Sequence, residues 1–200
     1  LEEETTEDFQ RISAINPVEQ TYLYASSWKL WGKRLPWLIG LLFANFITAA
    51  IISFYSEAIE AVVALTFFIP LLIGTAGNTG TQSATLIIRS LAVGDVEIRD
   101  WFRVLKKELF IGLMLGLFLG IMTWFRGYIE GKGGLDLAVV ISLSMLILVV
   151  YANIIGAALP IVLAKIKLDP AVISSPFIAT LIDVTGIIIY FNIAIWYLNL

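Results

Sequence analysis

Long apolar runs separated by short clusters of charge dominate this chain. A membrane-crossing helix needs roughly 20 mostly apolar residues, and five stretches meet that requirement: residues 36–55, 61–88, 109–125, 137–164 and 170–198. The first opens on Pro36, a residue suited to a helix start. The second carries no charge but is interrupted by Pro70, Gly74, Gly77 and Gly80. In the third, Gly112, Gly116 and Gly120 recur every four residues, a ridge of small side chains that lets two helix backbones approach closely. The fifth contains a single charge, Asp183. The pattern predicts an all-α, polytopic membrane domain over residues 35–200 with the lipid bilayer as its solvent.

Two stretches lie outside the spans. Residues 1–16 open acidic and polar, with none of the basic and apolar order of a signal peptide, and read as a cytosolic linker. The absence of an initial Met leads us to expect the membrane part of a longer chain. Residues 17–34 mix Tyr22, Leu23, Trp28, Leu30 and Trp31 with Glu19 and Lys29. That stretch is too polar to span and is expected to form an amphipathic helix, either lying on the cytoplasmic face or packed beneath a pore.

Basic residues set the orientation, because cytoplasmic loops collect them. Arg11, Lys29, Lys33, Arg34, Arg89, Arg99, Arg103, Lys106, Lys107, Lys165 and Lys167 fall on one side of the five-span arrangement, against only Arg126 and Lys132 on the other. The N-terminus is therefore expected in the cytoplasm and the C-terminus outside, with a cell-membrane location. The six tryptophans fall near span ends, where interfacial anchors belong.

Composition narrows the chemistry. With 59% hydrophobic and 14% charged residues, the chain has too little polar surface for a soluble globule of 200 residues. The 13 basic and 16 acidic residues nearly cancel, so nothing argues for nucleic acid. There is no cysteine and no histidine, which removes disulfides, thiolate nucleophiles and imidazole bases. Any metal must be held by oxygen, the ligand of hard cations such as magnesium, calcium or manganese. An enzyme is not expected, since one deep carboxylate lacks the acid and base partner of general catalysis.

Asp183 carries the most information. A carboxylate at mid-bilayer costs at least about 2.5–3.5 kcal/mol to insert, and such groups face protein or water and mark ion paths. The bland alternative is a protonated Asp183 bonded to a neighbouring helix. Residues three and four apart share a helix face, so Ser175, Ala179, Asp183, Gly186 and Tyr190 form one stripe able to line a narrow aqueous route. Pro176 either frees the Val172 carbonyl one turn earlier or simply starts the helix. The run from Pro70 to Ser83, containing Gly77, Asn78, Thr79, Gly80 and Gln82, reads as a broken or water-lined helix, or as packing between helices. Asn153, Gly156 and Pro160 make a weaker version, for which packing is the preferred reading.

The strings PLLIGTAGNTGTQSATLIIRSLAVGDV (70–96) and DPAVISSPFIATLIDVTG (169–186) resemble the transmembrane domain of the MgtE family of magnesium channels and transporters, and the likeness extends loosely over the whole chain. The resemblance implies a homodimer with five helices per subunit around a central magnesium-selective pore. It also implies preceding cytosolic domains that sense magnesium and close the pore. Asp183 matches the family's pore aspartate, which binds hydrated Mg2+, and Ala179 matches the position whose main-chain carbonyl helps. Ser175 stands where relatives often carry Asn. Asp169 matches an acidic residue of a regulatory magnesium site near the cytoplasmic gate, with Glu19 on the plug-like segment as its partner.

Magnesium gives up water reluctantly, so a site that keeps waters and offers few carboxylates suits it. A twofold axis would bring two copies of Asp183 to one ion. With no P-loop or dinucleotide fingerprint, the drive must come from gradients, and an inward potential of 100 mV supplies about 4.6 kcal/mol per divalent cation. The rival reading is a proton- or sodium-coupled secondary transporter with Asp183 as the coupling site.

Overall fold

The structure, a computed structural model, describes residues 10, 13, 15–16, 22–130, 134–170 and 175–200, apart from the side chain of Glu130. Its described residues form no strand. They build six α-helices: α1 (Ser27–Phe54), α2 (Ser56–Ala61), α3 (Ala64–Ala92), α4 (Trp101–Glu130), α5 (Gly134–Lys165) and α6 (Ser175–Leu198), with a short 3-10 turn at Ile98–Asp100 leading into α4. Four of these, α1, α4, α5 and α6, are long and apolar enough to cross a membrane. Helix α3 has 29 residues, ample length at 1.5 Å per residue. It falls short in hydropathy only, because the polar run from Gly74 to Ser83 sits at its centre. The expected five spans thus appear as four by composition plus a fifth helix of spanning length.

Helix boundaries differ from expectation at the start of α1. Ser26 caps this helix, its Oγ accepting from the Lys29 N–H at 3.3 Å, so Pro36 lies inside the helix rather than at its opening. Ser27 to Arg34, expected to belong to a separate amphipathic helix, are the first two turns of α1; residues 17–21 lie outside the described residues. At the other end of the chain Pro176 is the second described residue of α6; Val172, whose carbonyl it would free, lies outside the described residues. Helix α3 ends at Ala92, and two residues on the chain turns at Gly94, whose φ of +79° favours glycine.

Helix α5 is the hub, packing on α3, α4 and α6, and α6 in turn packs on α1 and α3. Between lipid tails and Leu side chains there is no hydrophobic gain, so close fit and polar contacts must hold such helices together. The glycines supply the fit. The ridge of Gly112, Gly116 and Gly120 faces α5: a Cβ at Gly112 would lie 3.0 Å from Val150 Cα, and one at Gly120 would lie 3.1 Å from the Ser142 carbonyl. Gly156 of α5 rests directly on the Gly80 carbonyl of α3, the packing role expected for the Asn153–Pro160 stretch. Around these crossings lies a continuous core including Leu72, Met145, Leu148, Ile182, Ile187 and Phe191. The outer face of α4, with Phe110, Met114 and Phe118 exposed, is what acyl chains solvate readily.

Candidate functional site

The site is built where α3 meets α6. Gly77 has no side chain, and a Cβ placed on it would sit 3.4 Å from Asp183 Oδ1 and 3.6 Å from the Ala179 Cβ. The glycine therefore lets α6 lay its carboxylate against the α3 backbone. One turn further, Gly80 makes room for the tip of Ile182. At the start of α6 the Thr81 hydroxyl donates to the Ser175 carbonyl at 3.4 Å, so Ser175, Ala179 and Asp183 all lie along the α3 seam. All three are half-buried. Among the described residues the Asp183 carboxylate has no hydrogen-bond or ion-pair partner, so the bland reading of a carboxyl bonded to a neighbouring helix finds none here.

The hydroxyls of this region are satisfied locally. Thr75, Thr79 and Thr85 donate to the carbonyls of Leu71, Thr75 and Thr81 in their own helix at 2.6, 2.8 and 2.8 Å, and Thr180 does the same with Pro176 at 2.8 Å. Carboxamides are different. Asn78 and Gln82, one turn apart, are exposed on the outer face of α3 in line with exposed Gly74 and Thr85. Neither amide is hydrogen-bonded to another described residue. An otherwise apolar helix thus turns a polar stripe out of the subunit, one residue on from the Gly77 that seats Asp183.

Other expected positions separate into different roles. Thr79, Gly80 and Gly186 are buried; Gly186 packs against Ile73 and Leu148, where a Cβ would lie 3.0 and 3.3 Å from their methyl carbons. Tyr190, expected on the same stripe as Asp183, is fully buried and donates to the Leu65 carbonyl at 2.9 Å. Of the α6 stripe, only the first half is therefore left partly accessible. Asp169 is exposed at the far end of the molecule from Trp196. With Glu97 and Arg99 it lines a cavity of about 610 Å³ between the end of α3 and the segment after α5. Glu19 lies outside the described residues. No three acidic side chains gather at one place among the described residues.

Sequence reasoning missed Glu108. It continues the glycine ridge of α4 one turn before Gly112, yet it follows Lys106 and Lys107 and so reads as part of a loop. In the structure it is buried, 7% exposed, and accepts from the Ser83 hydroxyl at 2.9 Å.

The described helices thus combine an unpaired carboxylate at the α3–α6 seam with two exposed carboxamides on an otherwise apolar helix, in a chain with four helices long and apolar enough to cross a membrane. Residues 69–193 match the MgtE family, described as a divalent cation transporter. Curated relatives agree over nearly the whole chain. The chain is 43% identical over 194 residues to the magnesium transporter MgtE of Thermus thermophilus, covering 97% of this chain and 43% of that protein. It is 37% identical over 196 residues to the magnesium transporter MgtE of Enterococcus faecalis, covering 97% of this chain and 42% of the relative. The chain belongs to the MgtE family, a family of transporters rather than enzymes. It spans less than half the length of these relatives.

Proposed function

We propose that this chain is the pore domain of a magnesium channel or transporter, working as a homodimer with five spans per subunit and mediating passive, potential-driven Mg2+ uptake. The observation that carries the reading is the polar face of α3 and α6. Asn78 and Gln82 are exposed near the middle of a 29-residue helix, Asn78 is next in sequence to the Gly77 that seats the unpaired Asp183, and hydrocarbon cannot satisfy any of the three. A second copy facing the first across a twofold axis closes that face into a water-filled passage. Two Asp183 carboxylates then meet one cation, which keeps most of its own waters, in accord with the hydration chemistry of magnesium. The Ala179 main-chain carbonyl and Ser175 serve as further oxygen acceptors for those waters.

The cytoplasmic placement of the N-terminus follows from the distribution of Lys and Arg. It brings Asp169 to the cytosolic mouth, where it forms a regulatory magnesium site with Glu19, answering to magnesium-sensing cytosolic domains of the full-length protein. Potential drive is tested in proteoliposomes by imposing potassium diffusion potentials at several external pH values and following Mg2+ entry. Entry is expected to rise with inside-negative potential and to change little with the pH gradient. Uptake that follows the proton or sodium gradient and ignores potential would instead establish a coupled transporter with Asp183 as its coupling site.

A further inference from the structure

We infer that Glu108 is a positioning residue for conduction: through Ser83 it fixes the rotation and height of α3, and so the placement of the polar face against Asp183. This inference rests on the reading of Asp183 above. Glu108, Ser83 and Asn153 are 7%, 3% and 2% exposed and come from three different helices, α4, α3 and α5. The Ser83 hydroxyl lies 2.9 Å from Glu108 Oε2 and 3.1 Å from the Asn153 carbonyl oxygen, so one side chain of α3 is held between its two neighbours. The Asn153 amide nitrogen is buried without a partner. It points at α4 beside Gly112, where a Cβ would come within 3.0 Å of it, one turn from Glu108. Polar groups of this kind are retained in an apolar interior at a cost, and they specify one register where apolar packing would tolerate several.

The geometry links this cluster to the site. Ser83 is three residues from Gly80, which seats Ile182, and six from Gly77, which seats Asp183. Ser83 and Gly80 face the bundle while Asn78 and Gln82 face outward. A helix rotation that releases Ser83 from Glu108 therefore swings Gly77 away from Asp183 and Gln82 out of line. Glu108 touches none of the proposed conducting groups and acts only through α3.

The test uses the intact protein in proteoliposomes, with Mg2+ entry measured over a range of Mg2+ concentrations and folded dimer quantified for each variant. Glu108→Leu and Ser83→Ala are expected to lower maximal flux per folded dimer by about tenfold or more, the scale of misplacement effects, and to shift the half-saturating Mg2+ concentration. Glu108→Gln keeps an oxygen for Ser83 and is expected to restore both quantities close to wild type. Wild-type flux and half-saturation in folded Ser83→Ala overturn the inference, and so does a Glu108→Gln as impaired as Glu108→Leu, which would mean that the carboxylate acts on the ion directly. Should Glu108→Leu fail to fold, Ser83→Ala and Glu108→Gln still decide between these outcomes. Asp183→Ala is measured in parallel: wild-type conduction there overturns the reading of the site itself, whatever Glu108 does.

Discussion

A single methyl group distinguishes two glycines that meet at the centre of the bundle. On Gly156 it would run into the Gly80 carbonyl, a backbone atom that cannot move without shifting α3. On Gly80 it would meet chiefly the tip of Ile182, a flexible side chain, with the Ala152 carbonyl at 3.1 Å. Overpacking of close-fitting interiors costs about 1–3 kcal/mol. Gly156→Ala is therefore expected near the upper end of that range and Gly80→Ala below it, while Gly74→Ala, with nothing within 4 Å, is expected to cost nothing, since Ala is favoured over Gly in a helix interior. Thermal melting of detergent-solubilised protein checks the order; equal melting points for Gly156→Ala and wild type would refute the crossing described here. Asp183 was legible at this scale because one charge in an apolar span is conspicuous. Glu108 was not, because adjacent lysines disguise it, although its place four residues before Gly112 on the same ridge was a usable signal.

At the scale of elements, apolar length and glycine spacing located every long helix, with the largest errors at ends. The start of α1 lies before Pro36 because the Ser26 cap outweighs the polarity of the turns that follow it. The polar run of α3 combines two roles that composition cannot separate: Gly77, Thr79 and Gly80 face the bundle and Asn78 and Gln82 leave it. Only packing against α5 and α6 decides which residue does which, since the helix is polar on both sides. The same ambiguity holds for the second half of the α6 stripe. Gly186 and Tyr190 share a helix face with Asp183 by periodicity, yet the neighbouring helices close over them.

At the scale of the whole molecule, the proposed twofold pore sets the outward polar stripe of one subunit against that of a second copy. The chain contains no cysteine, so single cysteines report proximity without background. Asn78→Cys and Gln82→Cys are expected to yield covalent dimers on oxidation in membranes, whereas Phe118→Cys on the lipid face of α4 is not. Equal cross-linking at all three positions, or none at 78 and 82 with either an oxidant or a short bifunctional reagent, would count against a twofold pore at this face. The fit of the chain to a bilayer was evident from hydropathy alone, whereas hydropathy says nothing of a twofold assembly, because self-complementarity of a surface is a property of shape.

The most direct measurement is Mg2+ current under voltage clamp for wild type beside Asp183→Asn, which keeps the size of the side chain and removes its charge. Paired carboxylates drawing a hydrated divalent cation predict a wild-type Mg2+ current that is lost in folded, dimeric Asp183→Asn. An unchanged current with unchanged preference for Mg2+ over Ca2+ would contradict the account at its centre.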